Sequence, residues 1–308
     1  KVSDLKIFNC FSRANTFGAI QHIDQIKGLN EFCTEYENSN KNIVFTIGAN
    51  PVNSSFFGSK IKDLLEDTDY VISLDIFPRK GKTYSSKYGD MTESLDIDDN
   101  AIDIIICQEG IEHVPDQYNL LKEFNRILKK GGDLILTTPN ISNIRSKISC
   151  LFTESDMWKR MPCTEIDSIW HIDEQSKKFY FGHLFLIPVN HLKTLLTING
   201  FHEIIYKKTR ISKSSVLMGL FIYPFFLISN ILAFFSYTKK NQHINMSIKK
   251  KILWQRCLLN LSFTTLFRKH IFWVCKKNFG HDDVIEDINK MQEKMSEDIV
   301  SEREIIKK

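Results

Sequence analysis

The sequence of 308 residues lacks several patterns that define common classes of protein. Its seven cysteines include no Cys-x-x-Cys pair, so neither a disulfide framework nor a zinc site is predicted, and we expect a reducing compartment. No other metal site is predicted. No apolar run follows a basic start near residue 1, so we expect no signal peptide. Charged residues make up 25% and hydrophobic residues 43%, which excludes both a mainly disordered chain and a polytopic membrane protein.

Acidic side chains are missing from one long segment of the chain. Residues 204–281 carry 14 basic side chains and no acidic one, whereas residues 1–203 carry 28 acidic and 22 basic side chains. Residues 282–308 are acidic again, with nine acidic and five basic side chains. The basic segment predicts an anionic partner, which is a membrane surface, a nucleic acid or the chain's own acidic parts.

An uncharged stretch lies inside this basic segment. Residues 214–238 carry no charge and are bracketed by Lys213 and Lys239, and their length suffices to cross a bilayer. The alternative is a buried core helix of a soluble domain. Lysines on both sides favour contact with an anionic leaflet. Residues 252–267 form a second apolar stretch, which we interpret as an interfacial helix.

The first two hundred residues alternate between strand-like and helix-like patterns. Short apolar runs predict strands, and they occupy residues 42–47, 70–74, 102–107, 134–138 and 201–206. Segments with helical periodicity, such as residues 120–128 and 189–199, lie between them. Continuous apolar strands separated by helices predict an α/β protein with a parallel sheet covered on both faces. Residues 1–40 are predicted to be helical and to pack beside this sheet.

Polar residues and glycine follow three of these strands, at the edge of the sheet where ligands bind. Gly48 follows the first strand, Asp75 the second and Gln108 the third. Glycine allows backbone amides to approach a ligand closely, and an aspartate at a strand end can accept both hydroxyls of a ribose. Each signal alone also fits a turn or a helix cap, but the order and spacing together are more specific.

Two segments carry a resemblance to a known family. Residues 101–140, AIDIIICQEGIEHVPDQYNLLKEFNRILKKGGDLILTTPN, are similar to the fourth strand, helix and fifth strand of class I S-adenosylmethionine-dependent methyltransferases. Residues 182–201, GHLFLIPVNHLKTLLTINGF, resemble the helix before the sixth strand. The resemblance spans residues 42–206 and is to the type that methylates small molecules and glycans on oxygen. It implies a Rossmann-like doubly wound sheet, mostly parallel with an antiparallel last strand, and S-adenosylmethionine as cofactor.

The resemblance assigns eight positions to the cofactor. Those near the ribose and adenine would be Gly48, Asn50, Asp75, Ile76, Asp90 and Met91, with Asp75 on the ribose hydroxyls and Asp90 on the adenine amino group. Gln108 and Glu109 would border the methionine end. The family's first loop has a Gly-x-Gly-x-Gly pattern, whereas here only Gly48 is a glycine, and Asn50 can adopt positive φ in place of the second.

Methyl transfer from a sulfonium to a hydroxyl requires alignment of donor and acceptor and removal of one proton. Candidate bases are Glu112, His113, His171 and His183. A structural role is the alternative for each histidine, and the Glu-His pair equally fits a helix cap. Residues 141–188 form a long segment after a strand's carboxyl end, which predicts a lid over the substrate.

The segment HIFWVCKK, residues 270–277, is similar to the family's seventh strand. Residues 41–206 and 270–280 would then form the methyltransferase domain, residues 207–269 an insertion whose ends return to one sheet, and residues 281–308 an acidic C-terminal helix. If the insertion crossed the membrane once, residues 270–277 would lie on the opposite side of the membrane from the rest of the sheet. We therefore predict a monotopic anchor on the cytoplasmic face, because moving the lysines of the insertion across the membrane costs much free energy. Three arrangements of the apolar stretch fit such an anchor: a re-entrant segment with its bend at Pro224, a segment that lies in one leaflet, or two crossings together with residues 252–267.

The sequence thus predicts a bacterial methyltransferase on the inner face of the plasma membrane, in polysaccharide biosynthesis, that methylates an oxygen of a lipid-linked sugar or envelope glycan. Two alternatives stay open: a methyltransferase of a membrane-dissolved, quinone-like small molecule, and a non-catalytic membrane partner with the same fold. The expected partners are the acceptor and an anionic membrane surface. Nucleic acid is not expected, because its basic surface would surround the active site rather than an apolar anchor.

Overall fold

The computed structural model describes residues 7–11, 71–75, 87–158, 160–239 and 246–292. The strands are β1 (Ile7–Phe11), β2 (Val71–Asp75), β3 (Lys87–Tyr88), β4 (Ile102–Gln108), β5 (Leu128–Pro139), β6 (Ile169–Asp173), β7 (Lys178–Phe181), β8 (Phe201–Tyr206) and β9 (His270–Lys277). The helices are α1 (Gln117–Ile127), α2 (Ile144–Thr153), α3 (Glu165–Ser168), α4 (Val189–Ile198), α5 (Lys213–Thr238), α6 (Met246–Leu261), α7 (Phe263–Phe267) and α8 (His281–Gln292).

The main sheet has the strand order β3-β2-β1-β4-β5-β9-β8. Strands β1 to β5 pair in parallel, and β9 pairs antiparallel with both β5 and β8. The predicted α/β architecture, with a mostly parallel sheet and an antiparallel last strand, is confirmed for the described residues. The prediction that residues 270–277 form that last strand is also confirmed.

Strand β1 corrects the prediction that residues 1–40 form a helical cap. Residues Ile7–Phe11 pair in parallel with both β2 and β4, so they occupy the centre of the sheet. Residues 42–47, which are predicted to form the first strand of the sheet, lie outside the described residues. The physical reason is that IFNCF, with Asn9 between apolar residues, is long enough for a strand but spans little more than one helical turn.

Helix α1 packs its apolar face onto the sheet. Leu120, Leu121, Phe124 and Ile127 are buried, as the helical spacing of these residues predicts. The helix begins at Asp116, whose side chain accepts a hydrogen bond from the backbone N–H of Asn119. Because this helix follows β4 directly, it fixes the short segment between them, which contains two of the candidate bases.

The insertion leaves and re-enters the sheet at the carboxyl ends of the parallel strands. Pro139, at the end of β5, pairs with His270, the first residue of β9. Tyr206, the last residue of β8, pairs with Trp273 near the same end. The segment between β8 and β9 therefore begins and ends at the edge of the sheet where ligands bind in this architecture.

Helices α5 and α6 form a helical hairpin. They run antiparallel, because Asn260 donates to Asn230 Oδ1 at 2.8 Å while Lys249 Nζ lies 3.5 Å from the carbonyl oxygen of Thr238. Helix α5 continues through Pro224, so the chain does not turn back at this residue, as a re-entrant arrangement with its bend there would require. The second apolar stretch, residues 252–267, is not one helix either, because α7 begins anew after Ser262, which caps it.

Helix α5 is long and apolar enough to span a membrane, and the described residues contain one such helix. Its most apolar window has a mean hydropathy of 2.1, and 6% of that window is buried inside the protein. A core helix of a soluble protein would be mostly buried, so the described structure does not support that alternative. Phe221, Phe225 and Ile228 lie at helical spacing on its exposed surface, each more than half exposed.

Polar contacts fasten the root of this hairpin to the loop after β5. Asn140 Nδ2 donates to the carbonyl oxygens of Thr265 and Arg268 at 2.8 Å. Ser215 Oγ, in the first turn of α5, donates to Asn143 Oδ1 at 3.2 Å. The hairpin is therefore joined to the loop that follows β5.

Gly200 connects α4 to β8 in a conformation that requires glycine. Its φ is +84°, and an added Cβ would overlap the carbonyl oxygen of Phe279. Gly131 also has a positive φ, of +79°, but a Cβ there would meet nothing within 4 Å. An alanine at either position would therefore suffer the backbone strain of a positive φ, but only an alanine at position 200 would also clash with a neighbouring atom.

We predict that Gly200→Ala destabilises the protein by on the order of 3 kcal/mol or more, because strain and clash combine. Gly131→Ala is the matched control, and we expect it to lower the free energy of unfolding by about 1 kcal/mol through strain alone. Chemical denaturation of both variants measures the difference. Equal losses would contradict the predicted clash with Phe279.

Candidate active site

The candidate site is built on the turn that follows β4. Glu109 has a left-handed backbone with φ of +47°, and its N–H donates to the carbonyl oxygen of Thr137 at 2.9 Å. A non-glycine residue in this region stores strain, which recurs at functional sites. Residues Ile111–His113 then form one 3-10 turn. The strained turn directs the chain so that Glu112 and His113 lie at the carboxyl edge of the sheet.

Glu112 is fully buried at this edge. Its Oε2 accepts a hydrogen bond from Thr138 Oγ1 at 2.8 Å, and its Oε1 has no hydrogen-bond partner among the described residues. Burial, together with the nearby charge of Glu109, raises the pKa of Glu112 well above its usual range. A carboxyl group in this environment holds a proton more readily than an exposed one, as a group for proton transfer must.

Two histidines face Glu112. His113 Nε2 lies 3.9 Å and His183 Nε2 lies 4.0 Å from Glu112 Oε1, and the two imidazole rings meet edge to face at 4.9 Å. Burial, followed by the proximity of His183, lowers the pKa of His113 to about 4, so this imidazole is neutral at physiological pH. The His183 side chain is 42% exposed, which makes it the member of the group that an acceptor can reach.

The segment between β5 and α4, predicted as a lid, contains the antiparallel β6–β7 hairpin. Hydrogen bonds join the end of this hairpin and the residues after it to the turn after β4. His113 Nδ1 lies 2.8 Å from the carbonyl oxygen of Phe181, and the N–H of Phe185 donates to the carbonyl oxygen of Glu112. His171 lies on β6 and stacks on Tyr180 with ring centroids 5.8 Å apart. Its assignment as a base stays a prediction.

The β6–β7 hairpin covers Asp90. The Asp90 carboxylate accepts hydrogen bonds from Lys178 Nζ at 2.6 Å and Tyr180 OH at 3.0 Å, as well as from Thr92. Burial alone would raise the pKa of Asp90, but the bonds from Lys178 and Thr92 hold that pKa below its usual value of 3.8. The predicted contact of Asp90 with the adenine amino group would replace one of these bonds.

We predict that Lys178→Met destabilises the protein by about 1–3 kcal/mol at pH 7, because Asp90 loses a charge-assisted partner while buried. The pKa of Asp90 is lower in the folded state, so the contribution of the pair is present above about pH 4 and is lost as pH falls through the lowered pKa. Denaturation at pH 7 and at lower pH measures this, with exposed Lys122→Met as control. A Lys178→Met loss that does not shrink in acid would contradict the pairing.

The remaining predicted cofactor residues divide into two groups. Gln108 and Glu109 are buried at the end of β4, and Met91 is half-buried against the edge of the core. Asp75 ends β2, although its side chain is outside the described residues, as are Gly48, Asn50 and Ile76 entirely. Through β1, which lies between β2 and β4, the register aligns Asp75 with Gln108 at the same height, two strand spacings or roughly 10 Å apart. This separation suits a cofactor whose ribose lies over the end of β2 and whose methionine lies over the end of β4.

Three residues of the site were not predicted from the sequence. Thr138 donates a hydrogen bond to Glu112, and Lys178 donates one to Asp90. His270 Nδ1 lies 3.5 Å from Glu109 Oε1. Thr138 and His270 could have been found, because they lie at the ends of predicted strands at the ligand-binding edge. Lys178 carried no signal, since its position depends on the fold of the β6–β7 hairpin.

Residues 58–136 match a family described as a methyltransferase domain. This range includes β2 to β4, the turn with Glu112 and His113, and most of β5. The protein is a methyltransferase, and its cofactor is S-adenosylmethionine. No curated protein matches the sequence.

Several solved structures are similar in outline. A methyltransferase from Thermotoga maritima described as a possible histamine N-methyltransferase is 14% identical with a TM-score of 0.32, and the match covers 62% of this chain and 63% of that one. An S-adenosylmethionine-dependent methyltransferase from Archaeoglobus fulgidus is 12% identical with a TM-score of 0.42, over 85% and 100%. One from Mesorhizobium loti is 10% identical with a TM-score of 0.34, over 89% and 92%. These similarities are too low to indicate a substrate.

Proposed function

We propose that this methyltransferase works at the cytoplasmic face of a membrane and methylates a hydroxyl oxygen of a lipid-linked sugar or envelope glycan. One observation carries the proposal: the apolar helical hairpin and the candidate site lie at the same edge of the sheet. Asn140, which bonds the root of the hairpin, is two residues from Thr138, which bonds Glu112. A hairpin in lipid would therefore hold the site beside the membrane surface.

The charges of the hairpin support an orientation along the membrane rather than through it. Lys213 begins α5, whereas Lys239, Lys250 and Lys251 lie at the far end of the hairpin. An upright hairpin would carry the far lysines into or across the bilayer, which costs about 2.5–3.5 kcal/mol for each lysine at the centre. With its axis in one leaflet, the lysines at both ends reach anionic headgroups. This geometry leaves the catalytic domain on one side of the membrane.

The candidate bases support transfer to a hydroxyl. In this step the acceptor oxygen forms a bond to the methyl carbon, the bond from that carbon to sulfur breaks, and the hydroxyl proton leaves to a base. His183 is half-exposed and contacts Glu112, so it can take the proton from an acceptor and share it with a buried carboxylate. Gln108 and Glu109, between β2 and this group, would border the methionine end of the cofactor.

A methyl-transfer assay with lipid-linked acceptors tests the proposal. Full-length protein in detergent is incubated with S-adenosylmethionine labelled on the methyl group and with a bacterial lipid extract. We expect label to enter the lipid-linked fraction, and mild acid, which cleaves the sugar from its carrier, to release the label with the sugar. His183→Ala should lower the rate by about 10²–10⁴-fold if His183 is the base.

The matched control is His191→Ala, which removes an exposed imidazole from α4 and should leave the rate unchanged. Label that remains with the apolar carrier after acid treatment would contradict a sugar acceptor and favour a quinone-like molecule. Label that enters only water-soluble acceptors would contradict the role of the membrane in substrate presentation.

A further inference from the structure

The group formed by Glu112, His113 and His183 contains the donor atoms of a metal site. One carboxylate oxygen and one nitrogen from each imidazole all lie within 4.8 Å of one another. Two imidazoles with one carboxylate are a donor set that suits divalent transition ions such as Zn²⁺ and Mn²⁺, whereas Mg²⁺ and Ca²⁺ prefer oxygen alone. We propose that these three side chains bind one divalent transition ion. The cysteine and histidine spacing in the sequence predicts no metal site.

The hydrogen bonds of His113 leave a lone pair facing the carboxylate. A carbonyl oxygen can only accept, so His113 Nδ1 must donate its proton to Phe181 at 2.8 Å. In the neutral imidazole, Nε2 then carries a lone pair and no hydrogen. This nitrogen is buried and has no hydrogen-bond partner among the described residues. Metal-bound histidines are typically fixed in this way, by donation from the other ring nitrogen to a carbonyl.

The Glu112 carboxylate likewise has one oxygen in a hydrogen bond and one buried oxygen that faces His113 Nε2. Glu112 Oε2 is engaged by Thr138, whereas the buried Oε1 has no hydrogen-bond partner in the described part of the chain and lies 3.9 Å from His113 Nε2. Two buried electron-pair donors thus face each other at a distance too long for a hydrogen bond. Buried polar atoms without partners are rare, because they give up hydration without compensation. A cation between them would satisfy both.

The distances are compatible with an ion after a small adjustment. Ligand atoms around an ion with bonds of about 2.1 Å lie about 3.0–3.4 Å apart. The two imidazole nitrogens lie 3.9 and 4.0 Å from Glu112 Oε1, and all three donor atoms lie within 4.8 Å of one another, so they would have to move closer together. Glu112 and His113 are buried and held by hydrogen bonds, so His183 would make most of the adjustment. Its side chain is 42% exposed, so its movement toward the other two would disturb less packing than movement of a buried side chain. An ion with three protein ligands keeps positions open for substrate.

The open positions indicate what the ion would do. An acceptor with two neighbouring oxygens, such as a vicinal diol of a sugar, could occupy two of them. Coordination would lower the pKa of the bound hydroxyl and fix its oxygen near the turn after β4. The ion would then take over from His183 the task of activating the hydroxyl. This role rests on the proposed function, whereas binding of the ion does not.

Binding of Mn²⁺ tests the site without cofactor or acceptor. The full-length protein in detergent is treated with a chelator, dialysed and titrated with Mn²⁺, and the free ion is counted from its six-line electron paramagnetic resonance signal. We expect one equivalent to bind. We expect His183→Ala and Glu112→Gln to weaken binding at least tenfold and Thr138→Val to weaken it about tenfold, because Thr138 orients the carboxylate. His191→Ala should bind like the wild type.

Circular dichroism melting shows whether each variant is folded. If Glu112→Gln fails to fold, His183→Ala still decides the question, because its side chain is half-exposed. Absence of Mn²⁺ binding to the wild type would overturn the proposal, as would an equal loss in His183→Ala and His191→Ala. Displacement of bound Mn²⁺ by an equal concentration of Mg²⁺ would overturn the assignment to a transition ion. Methyl transfer that persists without Mn²⁺ binding would leave the proposed function intact and remove only the ion.

Discussion

Replacing Phe221, Phe225 and Ile228 together by aspartate should move the protein from the membrane fraction to the soluble fraction. These side chains lie on the exposed surface of α5, at 73, 70 and 57% exposure. Each one buried in lipid contributes about 1.5–3 kcal/mol, so the triple replacement removes on the order of 6 kcal/mol. That difference corresponds to about four orders of magnitude in the partition coefficient. Ultracentrifugation of cell lysates followed by immunodetection measures the change.

The control variant is Ile285→Asp. Ile285 is an exposed apolar residue of α8, which follows β9 at the opposite edge of the sheet from the hairpin, so its loss should leave the protein in the membrane fraction. A wash with roughly 1 M salt shortens the Debye length to about 3 Å and releases proteins held by charge alone. Release of the wild type by this wash would contradict apolar insertion. A wild-type protein that is soluble at low salt would contradict the membrane proposal altogether.

Local sequence patterns were enough to predict the elements whose apolar residues have a strong periodicity or sharp boundaries. The apolar face of α1 was predicted from its helical spacing, and β9, between His270 and Lys277, from a short apolar run together with the family resemblance. Each is long or sharply bounded, so local sequence determines it. The strand Ile7–Phe11 was missed, because five residues of mixed character do not distinguish a central strand from part of a helix. Its place was decided by pairing with β2 and β4, which is tertiary information.

The site was predictable in its residues but not in its geometry. Glu112, His113 and His183 were all candidates, yet nothing in the sequence indicates that His183, seventy positions after His113, would approach Glu112 within 4.0 Å. The convergence depends on the end of the β6–β7 hairpin, where the carbonyl of Phe181 contacts His113. For the same reason the sequence predicted separate bases, whereas the structure brings three donor atoms within 4.8 Å of one another.

The second large effect concerns Asp75. Asp75 is the last residue of β2, level with Gln108 across β1, at the position where the ribose of the cofactor is expected. Asp75→Ala would remove two charge-assisted hydrogen bonds to the ribose hydroxyls, each contributing about 1.5–3 kcal/mol at most. We therefore expect the affinity for S-adenosylmethionine to fall at least tenfold, measured by calorimetric titration of the detergent-solubilised protein.

Two further variants make the Asp75 measurement specific. Asp98→Ala removes an exposed carboxylate and should bind the cofactor like the wild type, which separates a local contact from a change in net charge. Asp75→Asn keeps an acceptor oxygen but loses the charge, so its affinity should lie between those of the wild type and Asp75→Ala. Equal affinity of Asp75→Ala and the wild type would show that the ribose is held elsewhere. If the wild type binds no cofactor at millimolar concentration, the first loop, with Gly48 as its one glycine, has lost the cofactor site, and the non-catalytic alternative holds.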